Sequence, residues 1–200
     1  MSSHSKQDVD TQLRPYFPIF ASIMTGAWAD WMSSGHVGVW CNRSRATFVW
    51  EQMILRAQKA FALHPEIAIV PRRESYLFVA KGAVAFRLKK SDARGLTSNY
   101  PTQAAMEFHD PQSQLPGLPE VARVDVVYIL NAIQTAVADV LVVAREKQDV
   151  LWTLSALDAG SNVVTLPVFA PIPAADPKKV KLVSVKTGLG NSAGKGGGGD

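Results

Sequence analysis

Between Ser75 and Lys90 the chain reads SYLFVAKGAVAFRLKK, and few folds accommodate such a stretch. Tyr76, Phe78 and Ala80 alternate with Leu77 and Val79. After Lys81-Gly82, Val84, Phe86 and Leu88 share one side, while Ala85, Arg87 and Lys89 take the other. Successive side chains of a strand point to opposite faces, so this period sets one row on a core and the other in water. Gly82 supplies the positive φ of a tight reversal, and the stretch predicts a β-hairpin turning at Lys81-Gly82. The first strand is apolar on both faces and the second on one only, which predicts an inner strand beside a more exposed one. A second reading makes the hairpin a wing whose basic end carries Arg87, Lys89, Lys90 and Arg94 to phosphates.

A hairpin needs a partner layer, and a chain of 200 residues with 47% hydrophobic content can supply one domain with extensions. Cys41 is the single cysteine. It excludes an intramolecular disulfide and Cys-rich zinc sites, and fits a reducing compartment. The polar start MSSHSKQDVDTQ lacks the basic-then-apolar order of a secretory signal. Asp125, Asn131, Gln134 and Asp139 interrupt the most apolar window, Val124–Ala144, below what a bilayer span requires. The expectation is a cytoplasmic protein with no membrane segment.

Residues 1–17 read as a flexible lead-in, with Pro15 and Pro18 stiffening its end. Ile19, Phe20, Ile23, Ala27 and Trp31 fall at helical spacing and predict a helix over Pro18–Met32, closed by Ser33-Ser34-Gly35. The row Phe20, Met24, Trp28 and Trp31 is read as a packing stripe. His36–Asn42 is a short irregular connection. A second helix is expected from an N-cap at Ser44 to about Leu63, buried through Phe48, Met53 or Ile54, Ala57 and Phe61, and stopped by His64-Pro65. Glu66–Val70 predicts a short strand, and Thr102 caps a short helix over Gln103–His109. Three strands follow as a meander, Arg123–Leu130, Ala138–Ala144 and Val150–Leu157, with one helix over Ile129–Val143 as the competing reading of its centre. The fold class is therefore α+β: an N-terminal helical pair packed on a mainly antiparallel sheet, made of the hairpin and the meander, in a single domain over 18–157. A Pro/Lys-rich extension over 158–187 and a disordered Gly-rich tail over 188–200 complete the chain.

The net charge of +4 is unevenly spread. Residues 40–100 hold 11 basic against 4 acidic side chains, and residues 101–157 hold 3 against 7. Such asymmetry suits an anionic partner or contact with another copy. The histidines, His4, His36, His64 and His109, show no metal-ligand spacing, and the glycines from Gly188 onward open no helix and so make no phosphate loop. His109 with Asp110 and Glu107 reads as a solvated helix end, and His36 near Cys41 as a packed loop, so no catalytic residue, metal or cofactor is assigned.

The order of segments is informative as well. Glu74–Lys90 is followed by Tyr100-Pro101-Thr102, then Leu115-Pro116-Gly117-Leu118-Pro119, then the meander ending at Trp152. Over roughly residues 44–157 this order resembles small uncharacterised bacterial and phage-borne proteins. Those lie near helix-turn-helix regulators and zinc metallopeptidases, in toxin–antitoxin-like or defence-like gene clusters. The resemblance implies an accessory regulatory protein and carries over no residue role. The functional expectation is thus a non-enzymatic, intracellular regulatory component acting through protein–protein interaction, with an unidentified protein partner or by self-association. The alternative is a nucleic-acid-binding protein using Arg43, Arg45, Arg56, Lys59, Arg72, Arg73, Arg87, Lys89 and Lys90, with salt-sensitive contacts.

Overall fold

The computed structural model describes residues 5–72, 75–97, 103–110, 121–147 and 149–157. Arg73, the Thr102 cap, the 115–119 turn, the 158–187 extension and the 188–200 tail lie outside the described residues.

The chain begins helically. Residues 6–13, expected within a flexible lead-in, form α1 (Lys6–Leu13), whose N-terminus is closed by a capping box between Ser5 and Asp8. Val9 and Leu13 bury its inner side, so burial as well as capping holds a segment whose short period gave little signal. A 3-10 turn, Arg14–Tyr16, leads into α2 (Phe17–Ser33), and Gly35 at φ 73° follows its end. The row of Phe20, Met24, Trp28 and Trp31 is buried, as packing requires. α3 (Asn42–Phe61) starts three residues earlier than expected, with Cys41 in place of Ser44 as its N-cap. It buries Val49, Met53, Ile54, Ala57 and Phe61, while Phe48 packs half-buried beside them. Arg56 grips Asp30 of α2 through two hydrogen bonds of 2.7 and 2.8 Å. Gly26 makes room for that guanidinium, since a Cβ there would sit 2.6 Å from Arg56 Nη1.

Six strands form one sheet in sequence order: β1 (Ile67–Arg72), β2 (Ser75–Ala80), β3 (Val84–Lys90), β4 (Ala122–Leu130), β5 (Val137–Glu146) and β6 (Asp149–Ser155). The β2–β3 hairpin turns at Lys81 and Gly82, both at positive φ (50° and 65°), with Ala83 N–H donating to Ala80 O. Two positive φ angles at the centre mark the type I′ turn that matches strand twist. The central segment is strand, not helix: Val137–Glu146 pairs antiparallel with both neighbours. All pairs are antiparallel except β3–β4, which is parallel and needs a crossover; α4 (Gln103–His109) lies within it. The hairpin is therefore in the middle of the sheet, and neither of its strands is a projecting wing.

Alternation divides the sheet into two faces. Phe78, Phe86, Leu88, Val124, Val126, Tyr128, Val140 and Val142 meet α1–α3 in one core. At its centre Phe86 stacks on Phe78 at 5.3 Å and takes the edge of Phe20 at 5.2 Å. On the opposite face Leu77, Val79 and Ala85 pack with Phe108 of α4 and Val121. Val127, Leu141 and Val143 form a further apolar patch. The polar row of β3 is thus covered rather than water-facing, because the parallel crossover carries α4 onto it.

Candidate functional site

Two places concentrate chemistry among the described residues. The first is a charged layer beneath α4. Asp125 of β4 is fully buried, and in the parallel register it stands directly beside Arg87 of β3. Arg87 donates to Asp125 Oδ1 through Nε (3.1 Å) and Nη2 (3.0 Å), and Arg145 Nη2 of β5 donates to Oδ2 at 2.7 Å. His109 of α4 brings Nε2 to 2.6 Å from Arg145 Nη2 and 2.8 Å from Arg87 Nη2. It lies 3.1 Å from Asp125 Oδ2. The Arg87 guanidinium also lies 3.8 Å over the Phe108 ring.

The charges explain the protonation states. Burial opposes ionisation of Asp125, but the His109 contact and the Arg87 and Arg145 charges outweigh it and hold its carboxyl well below the usual range. Burial first, then the charges of Arg145 and Arg87, push His109 down against the pull of Asp125, so the imidazole is neutral at neutral pH. Its Nδ1 is buried without a hydrogen-bond partner, as is Arg145 Nε. The layer is closed and fixes α4 to the sheet. A solvated helix end was expected at His109; the structure instead buries that residue.

The second place is a cleft of about 390 Å³ between the α2–α3 connection and the β4–β5 turn. Its apolar walls are Trp31, Met32, Val37, Trp40 and Ile133, and Arg45 is the charged side chain among its lining. Both rims are rigid. On one, Val39 and Trp40 N–H donate back to His36 O, and the His36 ring stacks on Trp40 at 3.9 Å. Trp40 also packs near Trp31 and Phe48, each at 6.3 Å. On the other, Asn131 Oδ1 accepts from Thr135 N–H at 2.8 Å, and its amide donates to Thr135 Oγ1 at 2.9 Å. These turns hold large apolar groups in water: Ile133 and Val39 are each 77% exposed, and Trp40 43%. A sequence scan treats His36–Asn42 as a plain connection; its Val-Gly-Val-Trp run was the available signal.

Cys41 lies between Trp40 and Asn42 at the lip of this cleft and is exposed. Its thiol is pulled down to about 7 by the Ser44 hydroxyl and the amides of Ser44 and Arg43 at the start of α3.

The basic residues of the nucleic-acid reading do not converge. Arg43, Arg45, Arg56 and Lys59 belong to α3, on the helical side of the sheet. Arg72 ends the edge strand β1, and Arg87 and Lys89 point to the opposite face. Arg56 and Arg87 are already committed to Asp30 and Asp125. Lys90 returns to the helical side, where Arg45 adjoins it.

No helix among the described residues is long and apolar enough to cross a membrane, and no group of three His, Cys, Asp or Glu among them could hold a metal ion. No family model matches the chain, and no curated protein or solved structure matches it.

Proposed function

We propose that this is an accessory or regulatory component of the cytoplasm that works by protein–protein interaction, without chemistry of its own. One observation carries the reading: large apolar side chains are held in water on both rims of the cleft by turns that hydrogen bonds and ring packing hold in place. Isolated exposed apolar residues are ordinary, but a group of them around a concave surface is what partner-binding sites present. Rigid rims reduce the ordering cost of association, and an exposed tryptophan on one rim suits an anchor residue. The cleft lining holds no carboxylate, imidazole or thiol, and at its rim His36 is stacked on Trp40 and Cys41 is bonded to Ser44, which favours binding over catalysis. The likeness to proteins of toxin–antitoxin-like or defence-like clusters supports the same role.

The test is selection of a random displayed peptide library on the full chain, followed by titration of the enriched peptides against tryptophan fluorescence. Saturable binding that is lost in Ile133→Asp and weakened at least tenfold in Trp40→Ala, about 1.4 kcal/mol, supports the proposal. Enrichment of nothing that depends on these two residues overturns it. Sedimentation of the free chain tests self-association at the same face.

A further inference from the structure

The chemistry of the partner can be read from the charges around the cleft, and this step rests on the interaction reading above. Arg45 stands in the cleft wall, half-buried, with its guanidinium 5.8 Å from the Trp28 ring centre. It makes no ion pair among the described residues. Lys90, at the end of β3, makes none either, and burial and the adjoining Arg45 charge both disfavour its ammonium form. Two neighbouring cations therefore share one region without a carboxylate between them, and the cleft lining contributes no acid. Arg56, about three helical turns further along α3, shows the contrast: there Asp30 completes the pair. Like charges held together in a partly desolvated place raise each other's cost, and a partner's anion removes it.

The apolar surface continues past the cleft lining onto Val39, which is 77% exposed, and Met32 in the wall is itself partly open to water. A small amphiphile would leave those side chains in water, whereas a polypeptide segment covers both the cleft and its margin. We propose that the cleft docks an acidic segment of a partner protein, with an apolar or aromatic side chain seated against Trp40 and Ile133 and an Asp or Glu carboxylate placed on Arg45 with Lys90.

The experiment runs the same displayed library against the full chain and against an Arg45→Gln/Lys90→Gln variant, after thermal melting shows that the variant folds. Peptides selected on the unmodified chain are expected to pair Asp or Glu with a large apolar residue, and to weaken at least tenfold on the variant. The variant's own selected pool is expected to keep the apolar residue and lose the acidic bias. Peptides that depend on Trp40 and Ile133 but show no acidic bias, or an acidic bias unchanged on the variant, overturn this inference and leave the interaction reading standing. Should the variant fail to fold, Arg45→Gln alone decides by the same criteria. A parallel titration with duplex DNA closes the remaining route: binding that weakens steeply with salt and disappears in the variant reassigns the cation pair to phosphates and overturns the peptide partner.

Discussion

At the scale of single residues, Asp125 shows how one carboxylate can decide a layer. Its two oxygens take the guanidiniums of Arg87 and Arg145, and it is the only acid among the groups of that layer that the structure describes. Removing one partner from a buried charge cluster leaves the others uncompensated, at a cost of about 3–5 kcal/mol. Asp125→Ala is accordingly expected to lose about that much stability in urea unfolding, whereas Arg56→Ala on the half-exposed α2–α3 pair costs about 1 kcal/mol or less. Equal losses in the two variants would show that the layer is not a coupled unit. Cys41 illustrates a residue tuned by local donors instead. Its alkylation by iodoacetamide should rise with pH around a midpoint of about 7, and Ser44→Ala should move that midpoint upward. A midpoint unchanged by loss of the Ser44 hydroxyl contradicts the assigned cause.

At the scale of elements, α4 and α1 depend on tertiary partners in different ways. α4 has seven residues, too few to persist alone in water, and is fixed by Phe108 and His109. His109 titrates lower in the folded chain than its ordinary 6.5, so the unfolded chain binds the extra proton first. The contribution of the neutral ring is complete above about 6.5 and is lost as pH falls below it, where the ring must be charged against Arg87 and Arg145. Melting temperature should therefore fall on acidification from neutral pH to about 5, and this fall should be smaller in His109→Gln. His36 and His64 lie outside this layer, so an identical fall in the variant would assign the acid sensitivity elsewhere. α1 is held by apolar contact: Leu13→Ala is expected to cost about 2–5 kcal/mol, a loss that a flexible lead-in would not register.

For the whole molecule, the decisive feature is the parallel β3–β4 pair in an otherwise antiparallel sheet. A hairpin could not join these strands, so the connection must cross a face, and it carries α4 onto the side opposite α1–α3. Both faces of β2 and β3 are consequently buried. The main core joins the helices to every strand of the sheet, with Trp28, Trp31 and Trp152 all against it. Tryptophan fluorescence and far-ultraviolet circular dichroism should then report one coincident unfolding transition; separated midpoints would show that helices and sheet are separable units.

The sequence by itself determined the elements whose signal is local. Period-two alternation at 75–90 gave the hairpin with its turn at Lys81-Gly82, β-branched residues at 138–144 favoured a strand over a helix, and the helical stripes gave α2 to within one residue and α3 to within three. In the sequence Asp125 stands only as an interruption of an apolar window, which does not say what it meets. Only the tertiary structure decided that Arg87 and Lys89 face a covered layer, because alternation states that two faces differ and not what lies over either. It likewise brought Arg145, His109 and Asp125 together from three separate elements, and set Ile133 across a cleft from Trp40, nearly a hundred residues away. Contacts of that separation are fixed by strand order and crossover, which no window of sequence contains.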